Sequence, residues 1–595
     1  MEISSYFNSG CGNCAPGFFN TNTFHFSNDV DMIKGRHELA FGADFIRSQN
    51  NLETGNNQNG DYQFNGAWTG DALADFLLGD MSVFDQNRPQ LNALRQSMPA
   101  LYAQDTFHVN SRLTLNAGVR WEPLLMPSDV YGRGAVFNLQ DFLANVHSKI
   151  YPNAPAGMLY YGDPGISKSF TNNHWGDFAP RLGLVWNPHG DGRDTLRIGA
   201  GLLYDVNEMY YGQRLTSNPP YANDINQSTP AAHLANPWAG YPGGDPFPGL
   251  YAPASVNSTF PGYGLYIVLN PNEKPTYMGQ WNMTYQRQLA GNWMASVTLM
   301  GSKTTHIWLQ DDVNPAPYIP GTCNGSACST SSNENQRRIL SVLNPAQGKY
   351  IGQMLEADPG GNGFYHGVLG SLQHRFSHGF SFLANYTWSQ CIDDEDFVGD
   401  MHNSQYQNPY SRAAERGFCN FDYRQVFNSS IVGLTPTRNS LLGKITGNWQ
   451  IAPLIRATTG AALTVTTGKD YSYIGNNPVT DRPNLIEPNA VYNSDIGPGL
   501  KWLNPAAFQS NAVGTFGNLG RDTIRGPGVF NFDFGLSRVF KIRESKNIEA
   551  RLEIFNILNH TNLGAPNLTQ TSSTFGVITT AADPRILQIA LKYHF

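Results

Sequence analysis

The chain has 595 residues, of which only 14% are charged, against roughly 25% in an average soluble domain. Aromatic residues reach 12%, glycines number 60, and mean hydropathy is −0.36. These values exclude a disordered chain, which would be poor in aromatics. No apolar stretch approaches the ~20 residues of a membrane-spanning helix, and a net charge of −7 without a basic run argues against a nucleic-acid binder. At ~150 residues per domain the length suggests about four domains, although barrels run longer as one unit. At the start of the chain, Met1 is followed by Glu-Ile-Ser-Ser, without a basic segment or an apolar core, so no export signal is legible.

Beyond the first turn the dominant signal is period-two alternation, the signature of strands whose side chains point to opposite faces. It predicts fifteen strands, at about 22–33, 36–47, 98–108, 112–122, 179–187, 194–204, 279–289, 293–302, 364–375, 380–390, 424–434, 445–458, 528–540, 547–557 and 585–595. In 112–122, Leu113, Leu115, Ala117, Val119 and Trp121 share one face, and Thr114, Asn116, Gly118, Arg120 and Glu122 the other. Phe380, Phe382, Ala384, Tyr386 and Trp388 repeat the pattern, as do Phe530, Phe532, Phe534 and Leu536. The stretch 72–86 reads as a short helix or an extra strand inside a loop.

Connection lengths separate a soluble sandwich from a barrel. Tight links at Lys34-Gly35-Arg36, Val109-Asn110-Ser111, Asn187–Arg193, Ala290-Gly291-Asn292 and Ser377-His378-Gly379 alternate with long excursions at 123–178, 205–278, 303–362, 390–423 and 459–527. Long loops are uncommon in compact soluble domains. Short turns on one side and long loops on the other are the pattern of outer-membrane barrels. About ten residues per strand also suits a tilted membrane crossing. The expected fold is therefore all-β: an antiparallel up-and-down transmembrane barrel with short periplasmic turns and long extracellular loops.

Particular residues carry a family resemblance. Leu101–Glu122 (LYAQDTFHVNSRLTLNAGVRWE) resembles a barrel hairpin of TonB-dependent outer-membrane receptors. Gly35–Phe45 (GRHELAFGADF), Ala74–Gly79 (ADFLLG), Arg551–Asn559 (RLEIFNILN) and Phe575–Phe595, with Asp583-Pro584-Arg585, look like its Oar-like branch. The resemblance spans nearly the whole chain. It implies a barrel of about 22 strands with a plugged lumen, driven from the inner membrane through TonB and residing in the outer membrane of a Gram-negative bacterium. Nothing in the sequence matches a plug or TonB box. The expectation is thus a C-terminal part of a larger receptor, with about seven strands, the plug and the export signal upstream of Met1, and TonB engaged only through that plug. Strand parity agrees, because the first and fifteenth strands run the same way and single-chain barrels have even strand numbers.

Each candidate site has a bland counterpart. Leu591, Tyr593 and Phe595 share the apolar face of the last strand and resemble the signal read by the barrel-assembly machinery; the physical need is an exposed edge that pairs by strand addition. Six cysteines form three near pairs, Cys11/Cys14, Cys323/Cys328 and Cys391/Cys419. Zinc needs four ligands with Cys/His spacing, so disulfides of an oxidising compartment are the simpler reading. Asp393-Asp394-Glu395-Asp396 lacks the spacing of an EF-hand and reads as a solvated acidic loop. Glu549, Arg551 and Glu553 share one face and are expected to pair with neighbouring strands in a lumen.

Loop aromatics Tyr210, Tyr211, Tyr221, Trp238, Tyr241, Tyr251, Tyr263, Tyr266, Tyr471 and Tyr473 suit stacking on an amphiphilic ligand, or else pack the loops and form the interfacial girdle. Of these, Tyr210, Tyr211, Trp238, Tyr241, Tyr471 and Tyr473 are the candidate ligand contacts. No catalytic motif or phosphate-cradling loop is found, and no cofactor is expected. The function expected is uptake of a bulky solute, carbohydrate or peptide, with outer-membrane lipid and the assembly machinery as partners. The rivals are a surface adhesin anchored by its barrel and a secreted soluble β-sandwich.

Overall fold

The computed structural model describes residues 1–595 apart from 11–16, 56, 206–208, 223, 229, 231, 242–243, 248, 250–252, 324, 395–405, 438–439, 476–480, 498 and 544–545. Fifteen long strands form its framework: β1 (Gly17–Lys34), β2 (His37–Thr54), β3 (Gln90–Asn110), β4 (Leu113–Trp121), β5 (Phe178–Trp186), β6 (Asp194–Tyr204), β7 (Tyr277–Gln288), β8 (Trp293–Asp312), β9 (Ile351–Ser377), β10 (Phe380–Asp393), β11 (Gln425–Leu434), β12 (Trp449–Thr458), β13 (Val529–Arg543), β14 (Lys546–Phe555) and β15 (Ile586–His594). Each pairs antiparallel with the next in the chain. Short segments at Ser128–Asp129, Gly264–Leu269 and Gly417–Phe418 extend the sheet to 18 strands. Among the described residues β1 and β15 are long strands with one ladder partner each, so the sheet has two open edges.

The tight links follow from turn chemistry. His378 and Gly379 have φ of 52° and 86°, and Gly291 and Asn292 both have 67°. Two successive left-handed residues are what a type I′ turn needs, and its twist matches that of the flanking strands.

Register then carries the apolar face from strand to strand, because directly opposed residues share a face. Leu115, Leu184, Ile198, Met283, Leu299, Val368 and Trp388 stand in one row across β4 to β10. The adjacent row on the other face is Asn116, Gly183, Gly199, Asn282, Met300, Gly367 and Ser389. One face is a lipid-compatible band; the other, small and polar apart from Met300, suits a lumen.

The structure departs from the alternation pattern in three places. First, several hairpins outrun the expected strands: β2 continues to Thr54, β3 starts at Gln90, β8 reaches Asp312 and β9 starts at Ile351. Much of the expected loop 303–362 is therefore strand. Above the membrane the outer face meets water, so pairing persists after the apolar signal has stopped. Second, the expected strand start at 445 is occupied by a helix, Leu441–Thr446, whose first turn is capped by the Ser440 hydroxyl accepting from Gly443 N–H at 3.0 Å; β12 begins only at Trp449. Third, 72–86 holds both alternatives: a helix Ala72–Leu78, capped by Asp71 and stopped by Gly79 at φ 80°, then a strand Val83–Asn87.

The long excursions are packed. One apolar cluster joins Leu124, Phe170, Tyr211 and Ile267 from the loops with Trp308 and Leu355 from the upper ends of β8 and β9, and a second joins Phe142, Tyr160, Phe260, Tyr266 and Met354. A third gathers Phe64, Phe84, Trp238 and Phe247, and a fourth Val465, Leu503, Phe508 and Phe575. Together they make an ordered loop body at the end of the sheet opposite the tight turns.

Candidate functional site

The lumen face of β1 to β4 carries a fixed polar network. The Arg120 guanidinium bridges Asp44 at 2.8 Å and Glu122 at 2.6 Å, His25 Nε2 lies 3.3 Å from the same Asp44 carboxylate, and the Tyr102 hydroxyl donates to Asp29 at 2.6 Å. At the upper end of this wall Asp44, Arg120, Glu122, Asp177, Tyr204 and Asp205 line a cavity of about 80 Å³. On the far side of the sheet Arg551 pairs with Glu549 at 2.7 Å and Glu553 at 3.4 Å, with His594 3.7 Å from Glu549. The expected pairing of Glu549, Arg551 and Glu553 with neighbouring strands is met only at Glu549, by His594 of β15, and the ion pairs of Arg551 stay within β14. Residues two apart on one strand face share a side, and Arg551 reaches both acids along β14; only His594 comes from β15.

The sequence-derived candidates fall in several environments. Cys323 and Cys328 are joined by a disulfide within one loop, and Cys391 at the top of β10 is joined to Cys419. Cys11 and Cys14 lie outside the described residues. Leu591 and Phe595 are 75% and 92% exposed, on the apolar face of the open-edged β15, and the Tyr593 ring stacks 6.1 Å from Phe595.

The acidic run is not a solvated loop where it is described. Asp393 and Asp394 are both 7% exposed; Asp393 is clamped by Arg521, and Asp394 accepts from Asn362 N–H at 2.8 Å with Arg416 3.6 Å away. Burial drove the difference, since a carboxylate out of water must be paired. Glu395 and Asp396 lie outside the described residues.

Among the loop aromatics, Tyr211 packs edge-on to Trp308 at 4.7 Å, and Trp238 sits among Phe84, Tyr241 and Phe247 with its indole N–H on Gln86. Tyr221 and Tyr266 belong to the second cluster. Tyr210 lies under the Arg214 guanidinium at 5.8 Å, and Tyr473 stacks on Tyr318 at 6.3 Å. Tyr471 is half-buried and its carbonyl accepts from Gly514 N–H. Tyr241 and Tyr263 reach an open cleft, and Tyr251 lies outside the described residues.

Sequence reasoning missed a set of buried acids above the membrane. Glu273 is fully buried, accepts from Asn270 N–H at 3.0 Å, and has its second carboxylate oxygen without a partner. The Asn270 side chain donates to Glu356 at 3.0 Å, and Asp358 pairs with Arg412. Burial, with Glu356 and Asp358 nearby, pushes the Glu273 carboxyl up to about 9. Burial and the neighbouring Asp312, Asp358 and Glu356 push Asp311 up to about 8. No short-range motif marks these residues, because the upper ends of β8 and β9 and the loop carrying Glu273 bring them together.

The model of an outer membrane beta barrel domain family matches residues 1–588. No curated protein sequence matches the chain. Among solved structures, the outer membrane transporter YddB from Escherichia coli is similar in fold at 12% identity, with a TM-score of 0.51 over 97% of this chain and 54% of that one. The ferric enterobactin receptor PfeA from Pseudomonas aeruginosa (12% identity, TM-score 0.46, 97% and 54%) and the FrpB iron transporter from Neisseria meningitidis (10%, 0.44, 97% and 55%) are further matches. The chain spans about half the length of these transporters.

Proposed function

Because the chain belongs to the outer membrane beta barrel domain family, a family of the Gram-negative outer membrane, we propose that it forms the barrel of a TonB-dependent receptor, of the Oar-like branch its hairpins resemble, and takes up a bulky solute. The observation that carries this reading is the two-faced sheet: fifteen meandering strands with one apolar row set and one small, polar, ion-paired row set. A soluble sandwich would cover such an apolar face with a second sheet, whereas here Leu182, Val297, Trp388 and Leu591 on that face stand 65%, 50%, 55% and 75% exposed. A polar inner face beneath an ordered loop body instead suits a water-filled path that a plug can occupy.

The proposal includes further strands between β1 and β15, since unpaired backbone groups in lipid cost several kcal/mol each. It also includes a plug through which TonB would act. A barrel of that size would admit a bulky solute, carbohydrate and peptide among them.

The test is in cells. Strains carrying or lacking the gene, each with and without a working TonB, are fed a mixture of oligosaccharides and peptides, and depletion from the medium is measured. Depletion that needs both gene and TonB supports the reading. Gene-dependent depletion that persists without TonB, or loss of surface attachment with depletion unchanged, overturns it, the latter in favour of an adhesin.

A further inference from the structure

Three loops leave a cleft of about 730 Å³ between them, a size typical of small-molecule sites. It runs along the seam between two apolar clusters: Phe247, beside Tyr241, belongs to one, and Phe260 to the other. Tyr263 and Tyr350 continue the aromatic wall, and the Pro219-Pro220 pair adds an apolar surface. A lining of flat rings and prolines favours a flat apolar body over a heavily hydrated one.

The charges are one-sided. Arg88 and Lys349 reach the cleft from loops other than the one carrying most of the aromatics. Arg88 donates to the Pro220 carbonyl at 3.5 Å, and the Lys349 ammonium lies 5.0 Å from the Tyr350 ring centre. Among the described residues neither cation has a carboxylate in salt-bridge range. Among the described residues the cleft's one acid, Asp245, accepts the Phe247 backbone N–H at 2.7 Å in a local turn. Two cations without counter-ions among the described residues, Lys349 beside the Tyr350 ring and Arg88 beside the Pro219-Pro220 pair, form a complement for a negative charge attached to a flat apolar group.

We propose that this inter-loop cleft binds an amphiphilic organic anion, a carboxylate or sulfonate on an aromatic or similarly flat body, with Lys349 and Arg88 reading the charge and Tyr241, Phe260 and Tyr263 the apolar part. The assignment rests on reading the loop body as the solute-capturing side of the barrel, but binding is measured without transport, so the two fail separately.

The full chain in lipid nanodiscs is titrated calorimetrically with naphthalene-2-sulfonate and, separately, with 2-naphthylmethylammonium. The sulfonate should bind at least tenfold more tightly. Lys349 is exposed, so Lys349→Glu should leave the fold intact, as checked by heat-modifiable migration, and should weaken sulfonate binding tenfold or more. Tyr241→Ala should weaken both probes together. Equal affinity for the two probes, binding of neither, or sulfonate binding unchanged in Lys349→Glu would overturn the proposal.

Discussion

Asp311 on β8 stands directly across the ladder from Glu356 on β9, two carboxyl groups in one cross-strand pair above the membrane. Like charges placed so are destabilising, and burial pushes both groups up, Asp311 to about 8. Asp312 and Asp358 add to the effect, Arg412 opposes it, and Glu273 across the loop is raised as well. At neutral pH the pair therefore keeps a proton.

The sign of the pH dependence follows. An acid whose folded value is raised favours the folded state below its unfolded value, near 4, and that advantage is lost as pH rises toward the folded value. The upper β8–β9 hairpin should be tightest below about pH 4 and loosen progressively as pH rises from about 4 to about 8. Hydrogen exchange of its amides, corrected for intrinsic rate, should show protection falling over that window, and Asp311→Asn should flatten the fall. Protection that rises with pH in the native chain would contradict the shared proton.

The membrane part of this architecture was legible because lipid imposes a simple rule. Val119, Leu184 or Leu591 must be apolar where the strand faces hydrocarbon, so alternation marks each crossing and its facing. Nothing so local marks the loop body. Asp393 and Arg521 are 128 residues apart, and Arg482 and Glu415 are 67 apart; neither member announces its partner. The upper hairpins were illegible for a related reason: residues such as Asn50, Asn51 and Glu53 pair with β3 without any need for an apolar face.

The facing assignment predicts unequal effects from adjacent residues. Leu591 sits opposite Ala550 on the apolar side, and Lys592 opposite Glu549 on the lumen side. Leu591→Arg puts a cation on the lipid face and should destabilise the barrel, by up to roughly 4 kcal/mol, whereas Lys592→Gln should cost little. Urea titration of the protein folded into vesicles measures both, and equal costs would reverse the faces.

Cys391 and Cys419 close a span with a sequence separation of 28 and anchor a loop whose described end carries Glu415 and Arg416. Mass spectrometry of a non-reducing digest of exported protein should find their peptides linked. Replacing both with alanine should lower stability by about 2–4 kcal/mol, the usual cost of losing a cross-link of this kind. Free thiols on both residues would defeat the assignment.

The buried Arg482–Glu415 pair makes the strongest prediction about the loop body. Both side chains are nearly sealed from water, at 4% and 3% exposure. The guanidinium takes both carboxylate oxygens, at 2.6 and 3.2 Å, and also donates to the carbonyls of Leu519 and Ala414. Arg482→Met removes one charge and leaves Glu415 buried without a counter-ion, a loss of about 3–5 kcal/mol where the partner cannot reach solvent. The cost must fall on the loops, because the pair lies outside the strand ladders. External protease on intact cells should therefore cut Arg482→Met protein in the segments around 406–422 and 481–525 while the strands stay protected. Adding Glu415→Gln should restore much of the resistance, since a neutral amide is far cheaper to bury than a lone carboxylate. If Arg482→Met alone leaves the loops as resistant as the native chain, the pair does not hold the loop body together.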